Sequence, residues 1–185
     1  MSASIFIGFG SNRGDRADLC DRAVTLISLL PNSQLLGISS IYETEPVDDA
    51  GAPGDGWFLN GVVQLKTNIT PQSLHAVCCE IEKALGRDPE HRSGPRTMDL
   101  DVLFYRDWTV QDAGLTIPHP RLHLRRFVLE PLVELAPSFL HPVLKQTVAA
   151  LLEKLEDSHR VRKMTPQPIR TTERVLPLAS SPDHS

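Results

Sequence analysis

The spacing of apolar residues changes several times along the first half of the chain. Residues 4–9 form a short apolar run that predicts a buried strand, and a Gly/Asn turn follows it. Residues 16–30 carry apolar side chains at helical spacing, with Asp15 in the position of an N-cap. Residues 34–44 and 57–65 then predict two further strands.

The second half of the chain predicts one more long helix and one acidic strand. Thr70 as a cap and Pro71 at the first helical position indicate a helix that ends near residue 85, just before Gly86. A strand follows that contains Asp99. Further elements are predicted at residues 110–117 (a strand) and at residues 126–134 and 146–156 (two helices).

The order of these elements is strand, helix, two strands, helix, strand. This order predicts an α+β fold, a ferredoxin-like βαββαβ sandwich with a mostly antiparallel sheet and additional C-terminal helices. We expect the helices on one face of the sheet and an open face for ligands. From residue 158 the chain is polar and rich in proline, so we predict one domain over residues 1–157 and a tail over residues 158–185.

The acidic strand carries the strongest chemical signal. Asp99 and Asp101 are two residues apart, so a strand places both carboxylates on one face together with Leu103, and places Phe104 on the other. Carboxylates about 6–7 Å apart repel each other by on the order of 2–3 kcal/mol at a protein surface. A divalent cation removes this repulsion, and Mg²⁺ suits carboxylates, waters and phosphate oxygens. Arg96 nearby suits a polyphosphate. Taken alone, the same alternation is also typical of a sheet with one solvated face.

Composition narrows the class of protein. The net charge is −4, which disfavours a nucleic-acid partner, and 14 of the 19 cationic residues are arginine. The three cysteines, Cys20, Cys78 and Cys79, have neither disulfide-framework nor zinc spacing. No signal peptide and no apolar run long enough for a membrane span is visible, so we expect a cytoplasmic protein without a membrane partner.

The sequence does not match either of two common phosphate-binding motifs. Gly8, Gly10 and Gly14 give the spacing GxGxxxG, which departs from the dinucleotide-binding GxGxxG pattern. The chain contains no GxxxxGK[ST] motif, so it is not a P-loop NTPase.

Five sequence segments together resemble the 6-hydroxymethyl-7,8-dihydropterin pyrophosphokinase family. They are FIGFGSNRGD (6–15), SSIYETEPV (39–47), FLNGVVQL (58–65), LGR…GPRTMDLDVLFY (85–105) and LTIPHPRLHLRRFVLEPL (115–132). The resemblance implies a ferredoxin-like enzyme of folate biosynthesis, an ATP-dependent diphosphotransferase. It would transfer the diphosphate of ATP to the hydroxymethyl group of the pterin and release AMP. We expect a monomer that uses these two small molecules and two Mg²⁺ ions.

The resemblance also implies roles for individual residues. The catalytic residues would be Arg87, Arg96, Asp99 and Asp101, of which Asp99 and Asp101 would hold the metal ions. ATP would be bound by Glu82, Arg87, Arg96, Thr116, His119 and Arg125. The pterin would be bound by Thr44, Val47, Phe58, Asn60 and Phe127.

Two positions depart from the family pattern and leave an alternative open. Pro89 stands where the family usually has a second arginine, and Ser93 stands where it usually has a tryptophan. We therefore expect a working enzyme with a higher KM for ATP than typical relatives. The alternative is a non-catalytic relative that binds a nucleotide or pterin. An RNA-binding module is disfavoured by the aromatic content of 5% and by the acidic net charge.

Overall fold

A computed structural model describes residues 4–46, 56–88 and 96–165 of the chain. The strands are β1 (Ser4–Ser11), β2 (Ser33–Ile38), β3 (Tyr42–Thr44), β4 (Phe58–Thr67), β5 (Asp99–Tyr105), β6 (Val110–Asp112), β7 (Leu115–Ile117) and β8 (Val161–Lys163). The α-helices are α1 (Arg16–Ser28), α2 (Pro71–Ala84), α3 (Arg126–Leu135) and α4 (Val148–Glu153), and a 3₁₀ turn covers Leu122–Leu124. In this part of the chain, no helix has both the length and the apolar character that a membrane span requires.

Local signals position the two long helices as predicted. The Asp15 side chain accepts a hydrogen bond from the Asp18 N–H at 3.0 Å and caps α1. The Thr70 side chain does the same for α2, and Pro71 occupies the first turn. Gly86 follows α2 with φ +88°, a left-handed conformation that glycine adopts without strain. This turn sends the chain from α2 toward the start of β5.

The main sheet has the strand order β5-β1-β4-β3-β8, and β2 also pairs with β4. Each of these pairings is antiparallel. The single strand predicted over residues 34–44 is split, because the chain leaves β2 at Ile38 and rejoins β4 only at β3. The strand predicted over residues 110–117 is a hairpin of β6 and β7 instead, since Gly114 (φ +84°) lets the chain reverse there.

Helices cover both faces of the sheet, which corrects the expectation of one open face. One apolar cluster lies between the sheet and the two long helices α1 and α2. A second cluster lies on the opposite face, where Leu129 and Leu132 of α3 and Val148 of α4 pack onto Phe6 and Val62. These C-terminal helices cover only part of that face. The remainder, beside the adjoining ends of β1, β4 and β5, stays open as a cavity.

A β-bulge in β5 decides which side chains face the cavity. Phe6 pairs with Phe104, but Ile7 pairs with Val102, so Leu103 is an extra residue in β5. Phe104 consequently joins Phe6 in the second apolar cluster, on the same face as Leu103. The predicted alternation is therefore correct for Asp99, Asp101 and Leu103 and wrong for Phe104.

The first residues of the predicted tail form an edge strand of the main sheet. Strand β8 pairs with β3, and the backbone N–H of Met164 donates to the carbonyl of Ile41 at 2.9 Å. The rest of the predicted tail, residues 166–185, lies outside the described residues. Helix α4 is also shorter than the predicted helix over residues 146–156: it begins after its N-cap Thr147 and ends at Glu153, before its C-cap Lys154.

Candidate active site

Two glycines of β1 form the floor of the cavity. Gly8 pairs with Asp101 and Gly10 pairs with Asp99, and all four residues line a space of about 260 Å³. A Cβ atom on Gly10 would lie 2.3 Å from Oδ1 of Asn60, so a larger residue at position 10 would displace that side chain. The glycine pair therefore provides space between the carboxylates and Asn60, a role unrelated to a dinucleotide-binding loop.

Asp99 is held by arginines on both of its carboxylate oxygens. Arg87 Nη1 donates to Oδ1 at 2.7 Å, and Arg96 Nη1 donates to Oδ2 at 2.9 Å. The backbone of Arg96 is itself fixed to the end of β1, because its N–H donates to Oδ1 of Asn12 at 2.7 Å. These charge-assisted bonds hold two guanidinium groups at the rim of the cavity.

Glu82 supports this arrangement from behind. It is buried at the end of α2, where its carboxylate accepts the N–H of Leu100 at 2.7 Å and contacts Arg87. Burial raises the pKa of Glu82 to about 7, although the Leu100 N–H and the Arg87 guanidinium oppose that rise. Glu82 does not line the cavity; in the described chain it joins α2, β5 and Arg87.

Asp101 and His119 face each other deeper in the cavity. The Asp101 side chain is 42% exposed, but the exposed part opens into the cavity and the rest is enclosed by protein. Burial and the neighbouring Asp99 raise the pKa of Asp101. Burial and the cations Arg125 and Arg121 lower the pKa of His119 to about 4, so its imidazole is neutral near pH 7. The 3.9 Å contact between His119 Nε2 and Asp101 Oδ2 is therefore not an ion pair.

The two carboxylates fit a Mg²⁺ site. Asp99 and Asp101 present hard oxygen donors on one face of β5, beside open space for waters and phosphate oxygens. Within the described ranges, no group of three or more His, Cys, Asp and Glu residues could hold a metal ion. Such a pair suits a cation that takes most of its ligands from solvent and substrate.

The other half of the cavity is aromatic and amide-lined. Asn60 on β4 is buried, and its Nδ2 donates to Oγ1 of Thr44 on β3 at 2.6 Å. Phe58 and Phe127 line the same space. The guanidinium of Arg125 lies over the Phe127 ring at 5.4 Å from its centroid, where the two halves of the cavity meet.

Comparisons with known proteins identify the family of this chain. The model of the family described as 7,8-dihydro-6-hydroxymethylpterin-pyrophosphokinase (HPPK) matches residues 6–137. The chain belongs to this family. A 2-amino-4-hydroxy-6-hydroxymethyldihydropteridine pyrophosphokinase of Methylorubrum extorquens is 40% identical over 153 residues, which are 83% of this chain and 94% of that protein. One from Bacillus subtilis is 41% identical over 135 residues, covering 73% of this chain and 79% of that relative.

Some HPPK relatives are much longer than this chain. A folic acid synthesis protein of Schizosaccharomyces pombe is 37% identical over 150 residues, and these cover 81% of this chain but only 20% of that protein. The solved structure of wild-type Plasmodium falciparum HPPK-DHPS matches with a TM-score of 0.62 at 16% identity, over 82% of this chain and 44% of that one. At this identity the match concerns the fold alone.

The cavity brings together most of the residues predicted for an HPPK site, and it leaves others elsewhere. The predicted residues that line it are Thr44, Phe58, Asn60, Arg87, Arg96, Asp99, Asp101, His119, Arg125 and Phe127. Thr116 lies on β7 and lines a neighbouring cavity of about 320 Å³, which His119 also borders. Val47, Pro89 and Ser93 lie outside the described residues.

Sequence reasoning missed several residues that line the HPPK cavity. Glu45 and Arg121 are among them, as is the pair Gly8 and Gly10, which was considered only as a weak motif. Arg121 stands in the segment that carries the family resemblance, two residues after His119, so its charge could have drawn attention to it. Glu45 stands between the predicted pterin residues Thr44 and Val47, in the segment 39–47 that carries the family resemblance, so its position could also have drawn attention to it.

Proposed function

We propose that this chain transfers the diphosphate of ATP to the hydroxymethyl group of 6-hydroxymethyl-7,8-dihydropterin. The observation that carries this proposal is the division of one cavity into a half with carboxylates and arginines and a half with aromatic rings and an amide. The first half, called the phosphate half below, contains Arg87, Arg96, Asp99 and Asp101 and suits a polyphosphate with its cations. The second, called the pterin half below, contains Thr44, Phe58, Asn60 and Phe127 and suits a flat heterocycle with hydrogen-bonding edges.

In this reaction, the bond breaks between the β-phosphorus and the oxygen that bridges it to the α-phosphorus. A bond forms between the pterin hydroxymethyl oxygen and that β-phosphorus, the hydroxyl proton is released, and AMP leaves. Catalysis of this kind depends on positioning and on charge neutralisation. Holding two substrates in line can contribute roughly 7–11 kcal/mol of barrier lowering.

Arginines and carboxylates exchange partners in this proposal. Arg87 and Arg96 both donate hydrogen bonds to Asp99. Phosphate oxygens are equally good bidentate acceptors for guanidinium groups. When the triphosphate enters, the arginines turn to it and release the Asp99 oxygens. Asp99 and Asp101 are the residues that would hold Mg²⁺, for which we propose two ions, and the chemistry such ions would supply is charge neutralisation on the phosphates.

His119 and Arg125 complete the phosphate half in this proposal. The neutral imidazole of His119 accepts the Arg121 N–H on Nδ1 at 3.3 Å, which leaves the proton on Nε2 as a hydrogen-bond donor. Arg125 adds a cation next to the Phe127 ring. Glu82 acts by holding Arg87, and Thr116 contacts the adenosine end of ATP beyond His119.

In the pterin half, we assign recognition of the heterocycle edge to Asn60. Its amide supplies both a donor and an acceptor, and its bond to Thr44 fixes the orientation. Phe58 and Phe127 provide the aromatic surfaces. Val47, which the family resemblance implies, is retained in the proposal as a further pterin-binding residue.

Further expectations belong to the same proposal. The strand order β5-β1-β4 followed by β2 and β3 supports a ferredoxin-like arrangement. We also propose a domain over residues 1–157, a monomer, and a cytoplasmic location, which three unpaired cysteines support.

The proposal is tested by measuring AMP release with both substrates and Mg²⁺. We expect release by the wild type and a loss of roughly 10²–10³-fold in kcat for Asp99→Asn and Asp101→Asn, each a loss of transition-state charge stabilisation. Asp112→Asn on the exposed hairpin strand β6 is the matched control and should retain wild-type turnover.

Two results would count against the assignment. A wild type that binds both substrates without releasing AMP would favour the non-catalytic alternative. Normal turnover by Asp99→Asn or Asp101→Asn would remove these carboxylates from the metal site.

A further inference from the structure

Residues 157–164, here called the C-terminal segment, contact both walls of the pterin half of the cavity. The segment lies beyond the residues that the family model matches, which end at 137. It runs from the beginning of α3 to the outer edge of the sheet, where β8 pairs with β3. Several of its contacts fall on residues that line the cavity or on their immediate neighbours in the chain.

The first wall is contacted through β3 and Glu45. The Glu45 N–H donates to the carbonyl of Arg160 at 2.9 Å. In return, the Glu45 carboxylate accepts the Arg160 N–H at 3.1 Å and the Arg160 Nη2 at 3.2 Å. Glu45 and its neighbour Thr44 both line the cavity, and Thr44 pairs with Val161. The segment thus fixes the backbone on the Thr44 side of the Thr44–Asn60 hydrogen bond.

The same wall is contacted a second time through Trp57. The guanidinium of Arg160 lies 4.8 Å from the centroid of the Trp57 ring, which immediately precedes the cavity-lining Phe58. The carbonyl of Trp57 accepts a hydrogen bond from Arg16 Nη1. Arg16 also pairs with Glu43 at 3.1 Å, and Glu43 pairs with Arg162 of the segment.

The second wall is contacted through Asp157. The Asp157 side chain is only 6% exposed, and its carboxylate accepts the Arg126 N–H at 2.9 Å. Its carbonyl accepts Arg126 Nε at the same distance. Arg126 lies between Arg125 and Phe127, which both line the cavity.

The segment also contacts the far end of α3. Lys163 Nζ donates to the Glu134 carboxylate, which also accepts the Tyr42 hydroxyl of β3 at 2.8 Å. The segment therefore contacts α3 near both ends of that helix, and it pairs with all three residues of β3. Relative movement of the two walls would break these contacts.

We propose that the C-terminal segment is a positioning element that sets the affinity of the pterin half and leaves the phosphate half unchanged. Strand β3 has three residues, at the lower end of usual strand lengths, so its pairing with β4 supplies few backbone hydrogen bonds. Each exposed ion pair of the segment contributes little by itself, since Arg160 and Arg162 are 72% and 71% exposed. Backbone pairing and the buried Asp157 carboxylate hold the walls together before the ligand arrives, which lowers the ordering cost of binding. This inference rests on the proposed function for the identity of the ligand.

The test compares two ligands in variants of the full chain. Asp157→Ala removes the contact with α3, and Arg160→Ala removes the contacts of that side chain with Glu45 and Trp57. Arg160→Lys is the conservative variant. Lys154→Ala is the matched control, because the exposed Lys154 side chain donates to Oε1 of Gln146, which lies outside both the segment and the cavity lining. Binding of 6-hydroxymethylpterin and of a non-hydrolysable ATP analogue with Mg²⁺ is titrated by fluorescence, and KM and kcat are measured separately.

We expect the Kd for the pterin to rise about tenfold in Asp157→Ala and about three- to tenfold in Arg160→Ala, whereas the Kd for the ATP analogue stays within about twofold. Arg160→Lys should recover part of the pterin affinity, and Lys154→Ala should match the wild type. Circular dichroism checks folding, and Arg160→Ala, at an exposed position, keeps the test available if Asp157→Ala does not fold.

The inference is overturned if pterin binding is unchanged in both alanine variants, or if both ligands weaken equally. These outcomes are distinct from failure of the proposed function, which is read from AMP release by the wild type. A wild type that releases no AMP while the alanine variants still weaken pterin binding selectively would retain the positioning role and remove the reaction.

Discussion

The phosphate half and the pterin half of the cavity are built in different ways. The charged residues Arg87, Arg96, Asp99 and Asp101 come from one short stretch of chain, residues 87–101, and Asp99 is neutralised by neighbours in that stretch. The pterin half is assembled from β3, β4 and the start of α3, and the C-terminal segment contacts it from outside.

This difference separates two physical strategies. In the phosphate half, two arginines are paired with the carboxylate of Asp99. In the proposed function, a ligand would bind by exchanging these ion pairs for new ones. In the pterin half, a buried amide is oriented in advance by its bond to Thr44, so binding requires little rearrangement. We therefore expect changes in the first half to alter turnover and charge, and changes in the second half to alter affinity.

The largest effect on this comparison is expected from Gly10→Ala. The new Cβ would lie 2.3 Å from Oδ1 of Asn60, so the amide must leave its bond to Thr44. We expect the KM for the pterin to rise roughly 10–100-fold, equivalent to about 1–3 kcal/mol for a misplaced buried polar group. Steady-state kinetics with each substrate varied in turn would measure this.

Gly8→Ala is the comparison variant for this prediction. Its Cβ would lie 3.4 Å from Leu103 Cδ1, which is an ordinary contact. The rise in the KM for the pterin should therefore be several-fold smaller than in Gly10→Ala. Equal losses in the two variants would show that the floor of the cavity, and not the Asn60 orientation, limits binding.

An intermediate effect is expected from Glu82→Gln, through stability. The pKa of Glu82 is about 7 in the folded protein, whereas the ordinary pKa of a glutamate side chain is 4.5, so between these pH values the unfolded chain loses a proton that the folded chain keeps. The stability from this group is therefore fully present below pH 4.5 and is lost as pH rises through 7. Glutamine still accepts the Leu100 N–H but does not ionise. We expect the free energy of unfolding of Glu82→Gln, relative to that of the wild type, to increase from pH 5 to pH 8, by roughly 1–3 kcal/mol at pH 8. Thermal unfolding at each pH measures this difference.

Glu80→Gln is the control for the pH series, because Glu80 lies on the same helix but is exposed and pairs with Lys83. It should show no such growth of the difference with pH. A stability difference between Glu82→Gln and wild type that is constant across this range would mean that the Glu82 carboxyl is ionised throughout.

The smallest effect is expected from Thr116→Val. Thr116 lines the neighbouring cavity, and His119 borders both that cavity and the site. Loss of the Thr116 hydroxyl would therefore affect only the adenosine end of ATP. Loss of one exposed hydrogen bond, about 0.5–1.5 kcal/mol, should raise the KM for ATP roughly two- to tenfold and leave the pterin KM unchanged. An unchanged KM for ATP would exclude Thr116 from the site.

The predictions from sequence were accurate where the signal was local. The caps at Asp15 and Thr70 predicted the beginnings of α1 and α2, because a cap depends on residues within one turn. The shared face of Asp99 and Asp101 followed from strand geometry alone. Phe104 was assigned to the wrong face because the β-bulge at Leu103 depends on pairing with β1, about a hundred residues away in the chain.

The contacts that build the pterin half could not be predicted in this way. Glu45 and Arg160 are separated by 115 residues, and Asp157 and Arg126 by 31. The polar, proline-rich composition after residue 157 indicated a tail, although part of it pairs with the sheet. Strand pairing at a sheet edge uses backbone groups, which every residue carries, so composition does not report it.

By itself, the sequence determined the chemical character of the site: two carboxylates on one strand face, arginines around them, and the family to which their pattern belongs. The tertiary structure alone decided which side chains share the cavity, that α3 and α4 close part of the second face, and that the C-terminal segment contacts both walls of the pterin half. The physical reason is range. Periodicity, caps and ionisable spacing act over a few residues, whereas register, bulges and edge pairing are fixed only when distant strands meet.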